Sequence, residues 1–533
     1  MWAAGLFGLV VLVGVSGCGK WADDLLCGSQ GCGFTRDEWA TVQSLAQVTR
    51  VPPRPDPSNE YLPIQSWRTR ALAPGAASDL DGTLAPQPWS AIPEVQLGWR
   101  LYFDPRLSGS PSNVDAMGVA APTTRTVTCG QVRVACADCH DPRRYGADYT
   151  SVPSFLAIGS GWDDSSSQQT LNVARFSRFE WDGEADALWA EAAQVIEDPL
   201  SMNGHRAKTF WLIVNRYWST YASIFAGAGA SAAQDLAGRL AAPSEDAPTS
   251  EYQTQYARLG LDDQRTMTRV HVNAAKAIAA YEWLLASDGS AFDRFVAEGP
   301  TSTSLPADAQ RGLKLFIGRA SCIDCHSTSL LSDGKFHNTG VPDQGEHVPT
   351  ELGCVTPSCD CTDGGQSPTC APWGAYAGAE QLSTQEFGRG TIYDDNAAAN
   401  VDPAIVGSGA DGGMAPRPQV EPSNQLIGAW RTPSLRDVAM TAPYMHDGIF
   451  ATLSDVVRHY EQGGEGSGIG TSELSPLTLS DQDRDDLVAF LQSLTGTPGP
   501  PDLLAAPDGG AGVPFVTDAA CSSNGDGGVG AGP

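Results

Sequence analysis

Cys136-Ala137-Asp138-Cys139-His140 and Cys322-Ile323-Asp324-Cys325-His326 are two copies of one pentapeptide, C-x-x-C-H, within a chain of 533 residues. This pattern is the attachment signature of a c-type haem. In such a site the two thiols bond covalently to the haem, and the adjacent histidine donates an imidazole nitrogen to the iron. The sequence therefore predicts four haem-attachment cysteines and two axial iron ligands, which are Cys136, Cys139, Cys322, Cys325, His140 and His326.

A zinc ribbon, a redox-active cysteine pair and a pair of disulfides each account for the two pentapeptides less well. A zinc ribbon places its two cysteine pairs roughly 15–20 residues apart, far closer than these copies. A thioredoxin-like C-x-x-C site needs a βαβ context, for which this sequence shows no pattern. Two unrelated disulfides would not need His140 and His326. Covalent haem is the interpretation that uses every residue of the motif.

The composition limits the possible partners. The chain has 33 Lys and Arg against 62 Asp and Glu, a formal net charge of −29. Nucleic acid is therefore not an expected partner. An acidic surface suits a small basic electron-donor protein, such as a cytochrome c or a cupredoxin, by steering their encounter. The alternative is that the acidity only maintains solubility.

The first residues have the pattern of an export signal. Residues 2–17 are an apolar run that is short for a membrane span. Val15-Ser16-Gly17-Cys18 resembles a bacterial lipobox, so Cys18 is predicted to be lipidated, although Met1-Trp2-Ala3 lacks the usual basic residues. We expect a periplasmic protein attached to the outer membrane through the lipid alone.

The remaining cysteines fit that compartment. The sequence has thirteen cysteines, and eight remain after Cys18 and the four haem thiols. An even number fits disulfides in an oxidising compartment, with pairing that sequence alone does not reveal. The eight are Cys27, Cys32, Cys129, Cys354, Cys359, Cys361, Cys370 and Cys521. The four between 354 and 370 suggest a disulfide-stapled loop or, alternatively, a metal cluster.

Composition and hydrophobic periodicity predict a mostly α fold of two c-type cytochrome domains, each around one covalently bound haem, with long loops and few short strands. The clearest helices are predicted near 35–48 and at 185–198, 209–226, 267–287, 307–319 and 480–494, the last with Ser480 as N-cap. The predicted divisions are a signal peptide at 1–18, a tether at 19–85, an N-terminal cytochrome domain at 86–300, a C-terminal one at 301–498 with a Cys-rich insertion at 341–427, and a disordered tail at 499–533.

Several segments outside the pentapeptides resemble the bacterial di-haem cytochrome c peroxidase family, which includes MauG-type enzymes. They are Leu97–Ser108, Phe179-Glu180-Trp181-Asp182-Gly183, Phe336–Pro342, Arg431–Asp437 and Thr441-Ala442-Pro443-Tyr444-Met445-His446-Asp447-Gly448. The resemblance covers about residues 95–498 apart from the insertion. It implies that one haem reacts with hydrogen peroxide while the other relays electrons from a donor protein or oxidises a protein substrate.

The resemblance also implies different sixth ligands on the two irons. Many family members carry a distal histidine where Ile158-Gly159-Ser160-Gly161-Trp162 has Ser160, which is a poor ligand. An open face is therefore expected at the His140 haem, with misalignment of this loop as the alternative. At the His326 haem the matching ligand position is Tyr460, as in MauG-type enzymes. The apolar spacing of its helix turns Tyr460 inward and the adjacent His459 away.

Further roles follow from the resemblance. Trp181 matches a tryptophan that couples the two haems, and His446 a histidine between the domains with a structural or catalytic role. A family glutamate that moves protons is replaced by Ser201, and a glutamine by Glu191. Glu197 or His205 is a possible substitute for the missing acid.

A calcium ion is also implied by the family, with Ser166, Thr441 and Pro443 as the matching positions. The sequence thus favours a di-haem peroxidase. MauG-like oxidation of a protein, a non-catalytic electron-transfer cytochrome and a haem-based sensor remain as alternatives.

Overall fold

The computed structural model describes residues 33–46, 89–112, 114, 133–148, 156–226, 229–342, 374–389, 391–394, 426–464 and 471–507. The signal peptide, Cys18 and the eight other cysteines outside the pentapeptides lie outside these described residues. Among the described helices, none is long and apolar enough to span a membrane.

The described residues are mostly helical, as predicted, with two very short antiparallel sheets. The helices are α1 (Arg36–Ser44), α2 (Pro93–Tyr102), α3 (Cys136–Cys139), α4 (Leu188–Glu197), α5 (Arg206–Leu212), α6 (Trp218–Ile224), α7 (Ala230–Arg239), α8 (Thr249–Ala257), α9 (Leu261–Glu282), α10 (Ala291–Glu298), α11 (Ala307–Ile317), α12 (Ala375–Thr384), α13 (Leu453–Gln462), α14 (Asp481–Gln492) and α15 (Pro501–Leu504). A π-helical turn, Ile213–Tyr217, joins α5 to α6. β1 (Ser287–Asp288) pairs with β4 (Thr497–Pro498), and β2 (Phe336–His337) pairs with β3 (Trp430–Arg431).

The buried apolar side chains form two main clusters, one around each pentapeptide. The first cluster is built on α2, α4, α5 and α9, and Cys136 packs against it. The second is built on α1, α10, α11 and α14, and Cys322 packs against it. Each predicted haem site therefore lies beside its own hydrophobic core.

The 22-residue helix α9 is the centre of the first cluster. It crosses α2 closely because Gly98 presents no side chain there, and a Cβ at Gly98 would lie 1.7 Å from the Ala277 carbonyl oxygen. Fifteen of its residues are buried, from Met267 to Glu282. The helix begins six residues before its predicted start because Gly260 and two acidic first-turn residues form its N-terminus.

In the second cluster, α11 and α14 likewise approach each other closely at a glycine. A Cβ at Gly312 would lie 1.9 Å from the Asp486 carbonyl oxygen, so only glycine allows this approach. Ser480 caps α14 and forms a capping box with Asp483, which confirms the predicted N-cap. Thr452 likewise caps α13.

The structure corrects the predicted layout in two places. The insertion at 341–427 contributes α12, and its Phe387 and Tyr393 belong to the first cluster rather than to a peripheral loop of the second. The predicted disordered tail begins too early, since Leu503 and Leu504 of α15 are buried in the first cluster. The Gly- and Pro-rich composition of both segments predicts loops. Their few apolar residues nevertheless pack into the first cluster, which is built mainly from distant parts of the chain.

Candidate functional site

The first pentapeptide forms the short helix α3 and ends at His140. The Tyr102 hydroxyl donates a hydrogen bond to the His140 carbonyl oxygen (2.8 Å) and lies 3.2 Å from the Thr170 hydroxyl. Tyr102 is itself fully buried on α2. The resembling segment around Leu97–Ser108 therefore has a clear function, because it fixes the backbone that carries the predicted iron ligand.

A cavity of about 610 Å³ opens beside this pentapeptide. Its wall includes Cys136, Cys139 and His140. It also contains five of the other residues singled out from the sequence, which are Ser166, Trp181, Glu191, Glu197 and Ser201. The volume is that of a small-molecule or cofactor site. The fold thus gathers at one cavity residues that are far apart in the sequence.

The residues of this cavity fit a covalently bound haem. Cys136 and Cys139 form no disulfide, so their sulfur atoms are available for thioether bonds. The Gln168 side chain lines the cavity; Arg431 donates to its amide oxygen, while its buried Nε2 has no hydrogen-bond partner. Such a donor suits a carboxylate group of a bound haem. His140 is the only histidine among the described residues of the cavity wall.

The second pentapeptide presents His326 in a fixed orientation. Its Nδ1 lies 2.9 Å from the Leu331 carbonyl oxygen, so Nδ1 carries the proton and Nε2 is left for a metal. Burial lowers the pKa of His326 to about 4, which keeps the ring neutral as a metal ligand must be. Leu331 takes up a left-handed backbone conformation (φ 53°) in the tight loop that makes this contact.

Tyr460 lies near the cysteines of the second pentapeptide, as the predicted ligand position requires. Burial raises the pKa of Tyr460, and the nearby Cys325 and Cys322 raise it further, while a hydrogen bond with Thr339 acts against them. The helical spacing turns His459 to a different face of α13 from Tyr460. His459 is buried, and its Nε2 lies 2.8 Å from the Thr339 carbonyl oxygen, because the chain around Thr339 covers a second face of α13.

Ser160 does not face the cavity as predicted. Its hydroxyl accepts a hydrogen bond from the Ser112 backbone N–H (2.8 Å) and donates one to the Ser110 carbonyl oxygen (3.2 Å). The side chain is buried in this contact, while the neighbouring Gly159 lines the cavity instead. The structural role of Ser160 agrees with its being no ligand, but it leaves the open iron face a prediction.

Ser201 leads to a residue that the sequence pattern does not single out. The Ser201 hydroxyl donates a 2.9 Å hydrogen bond to Oδ2 of Asp163, 38 residues earlier in the chain. Both side chains line the cavity. Burial, followed by the charges of Asp164 and Asp198, raises the pKa of Asp163 well above its usual range. No local pattern links the two residues, because they meet only when two loops fold together.

Glu197 is not the substitute acid that its position in the sequence suggests. Burial alone would raise its pKa, but the nearby His271 and the hydrogen bonds from Arg206 lower the pKa to about 2. Arg206 also pairs with Glu386 of the insertion at 2.6 Å. His205 caps α5 and is not part of the described cavity wall. Glu197 is therefore an ionised structural partner of Arg206.

Glu191 is hydrogen-bonded to another carboxyl group, that of Glu180, on the cavity wall. Burial raises the pKa of Glu191 well above its usual range, and the neighbouring Glu180 and Glu282 add to the effect. The carboxyls of Glu282 and Glu191 also raise the pKa of Cys136, after burial. This group of carboxyls thus lies at the Cys136 side of the cavity.

The predicted inter-haem residues meet in one hydrogen-bonded group. The Trp181 indole N–H donates to the Ser166 carbonyl oxygen (2.7 Å), and the Ser166 backbone N–H donates to that of His446 (2.7 Å). His446 is stacked on Trp430, with ring centroids 4.1 Å apart and planes at 17°. Trp430 also lines the His140 cavity and was missed, since nothing in its local sequence marks it.

The positions matched to a calcium site make contacts within the protein. The Ser166 hydroxyl donates to the Met445 carbonyl oxygen (2.9 Å), and the Thr441 hydroxyl donates to that of Val438 (3.1 Å). Pro443 follows a cis peptide bond. Across the described ranges, no group of three or more His, Cys, Asp or Glu side chains is placed to hold a metal ion. Calcium binding therefore stays a prediction.

Comparison with known proteins places these features in context. The family model described as di-haem cytochrome c peroxidase matches residues 93–301. Cytochrome-c peroxidase IdrP2 of Pseudomonas sp. (strain SCT) is 29% identical over 447 residues, which cover 81% of this chain and 91% of that protein. Cytochrome-c peroxidase IdrP1 of the same strain is 27% identical over 445 residues, covering 81% and 91%. The methylamine utilization protein MauG of Methylorubrum extorquens is 28% identical over 407 residues, covering 76% and 79%.

Proposed function

We propose that the chain is a member of the di-haem cytochrome c peroxidase and MauG family, as its similarity to the family model and to curated members supports. In this proposal it reduces hydrogen peroxide at the His140 site with electrons relayed from the His326 site. The observation that carries the proposal is the inequality of the two sites. His140 lies on a cavity of about 610 Å³ with protonatable carboxyls on its wall. His326 has a phenol, Tyr460, near its cysteines.

The residues of the first site have distinct tasks in this reaction. Haem held by Cys136 and Cys139 supplies a redox-active iron to the peroxide. Tyr102 positions the His140 backbone through its 2.8 Å hydrogen bond. Carboxyl groups on the cavity wall, among them Asp163 and Glu191, are placed to supply protons to the reacting oxygens.

Electron transfer between the sites is assigned to Trp181. Its position on the cavity wall and its hydrogen bond to Ser166 support this role. Through Ser166 the same group reaches Met445 and His446, which belong to the C-terminal half of the chain that carries the second pentapeptide. The Trp430–His446 stack adds two further rings beside the same cavity, because Trp430 also lines its wall.

The donor is proposed to be a small basic electron-transfer protein, such as a cytochrome c or a cupredoxin. The net charge of −29 supports this pairing by attracting a basic partner. We further propose that the protein is exported and held at the outer membrane by a lipid on Cys18. These assignments rest on the sequence pattern of residues 2–18.

A second candidate is oxidation of a protein substrate, as the MauG relationship suggests. The observation that favours it is Tyr460 near Cys322 and Cys325. A phenolate ligand favours oxidised iron, whereas a methionine ligand raises the reduction potential and eases electron uptake. Tyr460 as the sixth ligand would thus make the second site a store of oxidising equivalents.

One experiment tests the proposal and separates the two candidates. The purified protein should contain two c-type haems by a pyridine haemochrome assay and should change its Soret spectrum with stoichiometric hydrogen peroxide. No spectral change with peroxide would refute the enzyme proposal. A Tyr460→Phe variant should convert the His326 haem from a six- to a five-coordinate electron paramagnetic signal. An unchanged signal would exclude Tyr460 as the ligand and remove the support for the second candidate.

A further inference from the structure

The proposed reaction needs a proton donor, and the cavity wall has many carboxyl groups from which to supply one. Reducing peroxide to water consumes two protons, and the O–O bond breaks more readily when the departing oxygen receives one. Aspartate and glutamate side chains from several separate segments line the cavity. A suitable donor must be both protonated and placed away from the covalent attachment.

Two of the acids are already occupied by structural contacts. Glu197 is ionised and bound by Arg206 through 2.6 Å and 2.7 Å hydrogen bonds. Asp198 uses its Oδ1 to accept hydrogen bonds from the backbone N–H groups of Leu200 (2.8 Å) and Ser201 (2.7 Å). It thereby holds the turn that presents Ser201 to the cavity.

A second set of acidic residues lies on the part of the cavity wall next to Cys136, where haem attachment is predicted. Glu180 and Glu191 are hydrogen-bonded to each other. Glu191 and Glu282 are close enough to Cys136 to raise the pKa of its thiol. Glu282 belongs to α9 next to Tyr281, whose ring centroid is 5.0 Å from that of Tyr102. Since Glu191 and Glu282 act on Cys136, this set lies at the Cys136 side of the cavity.

Asp163 belongs to a different part of the wall. It follows the loop in which Ser160 N–H donates to the Ser201 carbonyl oxygen (2.8 Å) and Gly161 N–H to that of Leu200 (2.8 Å). These contacts bring the loop against the Asp198–Ser201 turn. The Ser201 hydroxyl then fixes Oδ2 of Asp163 at 2.9 Å.

We propose that Asp163 is the acid that protonates peroxide at the His140 site and that Ser201 is its positioning residue. The inference rests on the proposed function. In the overall reaction, H₂O₂ + 2 H⁺ + 2 e⁻ → 2 H₂O, both electrons come from the external donor protein. Asp163 gives its proton to the departing peroxide oxygen as the O–O bond breaks and the first water leaves. It then regains a proton from solvent, and the second proton also comes from solvent.

The surroundings of Asp163 keep it in the acid form. The charged groups that face it are Asp164, in the same loop, and Asp198, across the turn, and both disfavour its ionisation. His446, from the second pentapeptide's half of the chain, acts on Asp164 in the opposite direction. A carboxyl whose pKa is raised by burial and by neighbouring carboxyls holds its proton more readily than a free one and is suited to donate it in the cavity.

The test compares three variants of the full-length, haem-loaded protein. Asp163→Asn keeps the shape of the side chain but removes the acid, while Ser201→Ala keeps the acid and removes its support. Asp262→Asn is the matched control, because its side chain is 98% exposed on α9. The first measurement is the rate of the Soret change with hydrogen peroxide. The second is the affinity of fluoride for the oxidised protein between pH 5 and pH 8 (roughly the range over which a raised carboxyl pKa falls).

Fluoride reports on the acid without any turnover, because the bound anion accepts a hydrogen bond from a protonated neighbour. We expect Asp163→Asn to slow the peroxide reaction by about 10²–10⁴-fold and to flatten the pH dependence of fluoride binding. Ser201→Ala should shift that pH profile with a smaller loss of rate, and Asp262→Asn should change neither.

The outcomes separate this inference from the proposed function. A variant Asp163→Asn with the rate and fluoride profile of the parent protein would overturn the role of Asp163. If the parent protein does not react with peroxide, the proposed function fails. The fluoride profiles then still decide whether Asp163 is the acid group next to the His140 haem.

Discussion

His205 is a single residue whose contribution depends on its protonation state. Its Nδ1 accepts a 3.2 Å hydrogen bond from the Ala207 backbone N–H and so caps α5. Burial lowers the pKa of His205 to about 4, although the nearby Glu197 acts against this. A protonated Nδ1 would be a donor and could not accept the capping hydrogen bond.

We therefore expect the free energy of unfolding to fall as the pH is lowered from about 6.5 towards 4. In this window the unfolded chain binds a proton on His205 that the folded chain excludes, so stability is lost with acid, by an amount on the order of 1–2 kcal/mol. His205→Asn keeps a capping acceptor without a titrating ring and should lose this part of the pH dependence. Urea unfolding at pH 7 and pH 5 measures it.

The control for this prediction is Thr35→Asn. Thr35 caps α1 in the same way, so the exchange replaces a cap without removing a titratable group. The pH dependence of its unfolding should equal that of the parent protein. Equal pH dependence in His205→Asn and the parent would contradict the assigned pKa.

What sequence can reveal at this scale depends on how local the chemistry is. The pentapeptides are recognisable because the predicted haem attachment fixes two cysteines and a histidine within five consecutive residues. Asp163 is not, because its contact with Ser201 spans 38 residues and two loops. Ser160 was placed on the wrong side of its loop, since a glycine-rich segment has no periodicity to show where a side chain points.

At the scale of elements, prediction succeeded where caps and periodicity agree. α14 begins at the predicted cap, Ser480, and α13 begins at Thr452, because a hydroxyl at each position satisfies free backbone N–H groups of the first turn. α12 was missed because it lies in a segment dominated by glycine, proline and aspartate. Two residues that follow it, Phe387 and Tyr393, complete a core whose other members lie mostly far earlier in the chain, and only the folded structure reveals this contact.

Phe387 is the anchor of this insertion, and its removal should detach the segment. Its side chain is buried, 5.7 Å from the His271 ring and 5.1 Å from the Arg206 guanidinium carbon. Phe387→Ala should lower the free energy of unfolding by about 3 kcal/mol through loss of packing and a residual cavity. Cleavage by a protease within 374–394 should also become faster, because the segment loses the buried side chain that holds it against the core.

The matched control is Ile392→Ala in the same segment. Ile392 is 55% exposed, so its truncation should change stability by no more than about 0.5 kcal/mol. Similar protease sensitivity in both variants would show that the segment is not held through Phe387.

At the scale of the whole molecule, the segments that carry the two pentapeptides are joined through polar contacts around the cavity. The Arg431 backbone N–H donates to the Trp181 carbonyl oxygen (2.7 Å), and the Gln169 amide donates to that of Arg436 (3.0 Å). Two segments that resemble the peroxidase family, Arg431–Asp437 and Phe179–Gly183, are therefore neighbours in space. Their order along the chain does not indicate this contact, since it is made by backbone groups that every residue has.

The net charge of −29 is a property of the whole chain, and it predicts that association with a basic electron donor depends on salt concentration. With a small basic c-type cytochrome as donor, the second-order rate constant should fall at least about tenfold when salt is raised from about 0.01 M to about 0.5 M, because the attraction is screened. Stopped-flow oxidation of the reduced cytochrome by the peroxide-treated protein measures this rate. An acidic cytochrome is the control, and its rate should rise with salt because the same field repels it. A rate for the basic donor that does not depend on salt would mean that the acidic surface serves solubility and that the donor is recognised by other contacts.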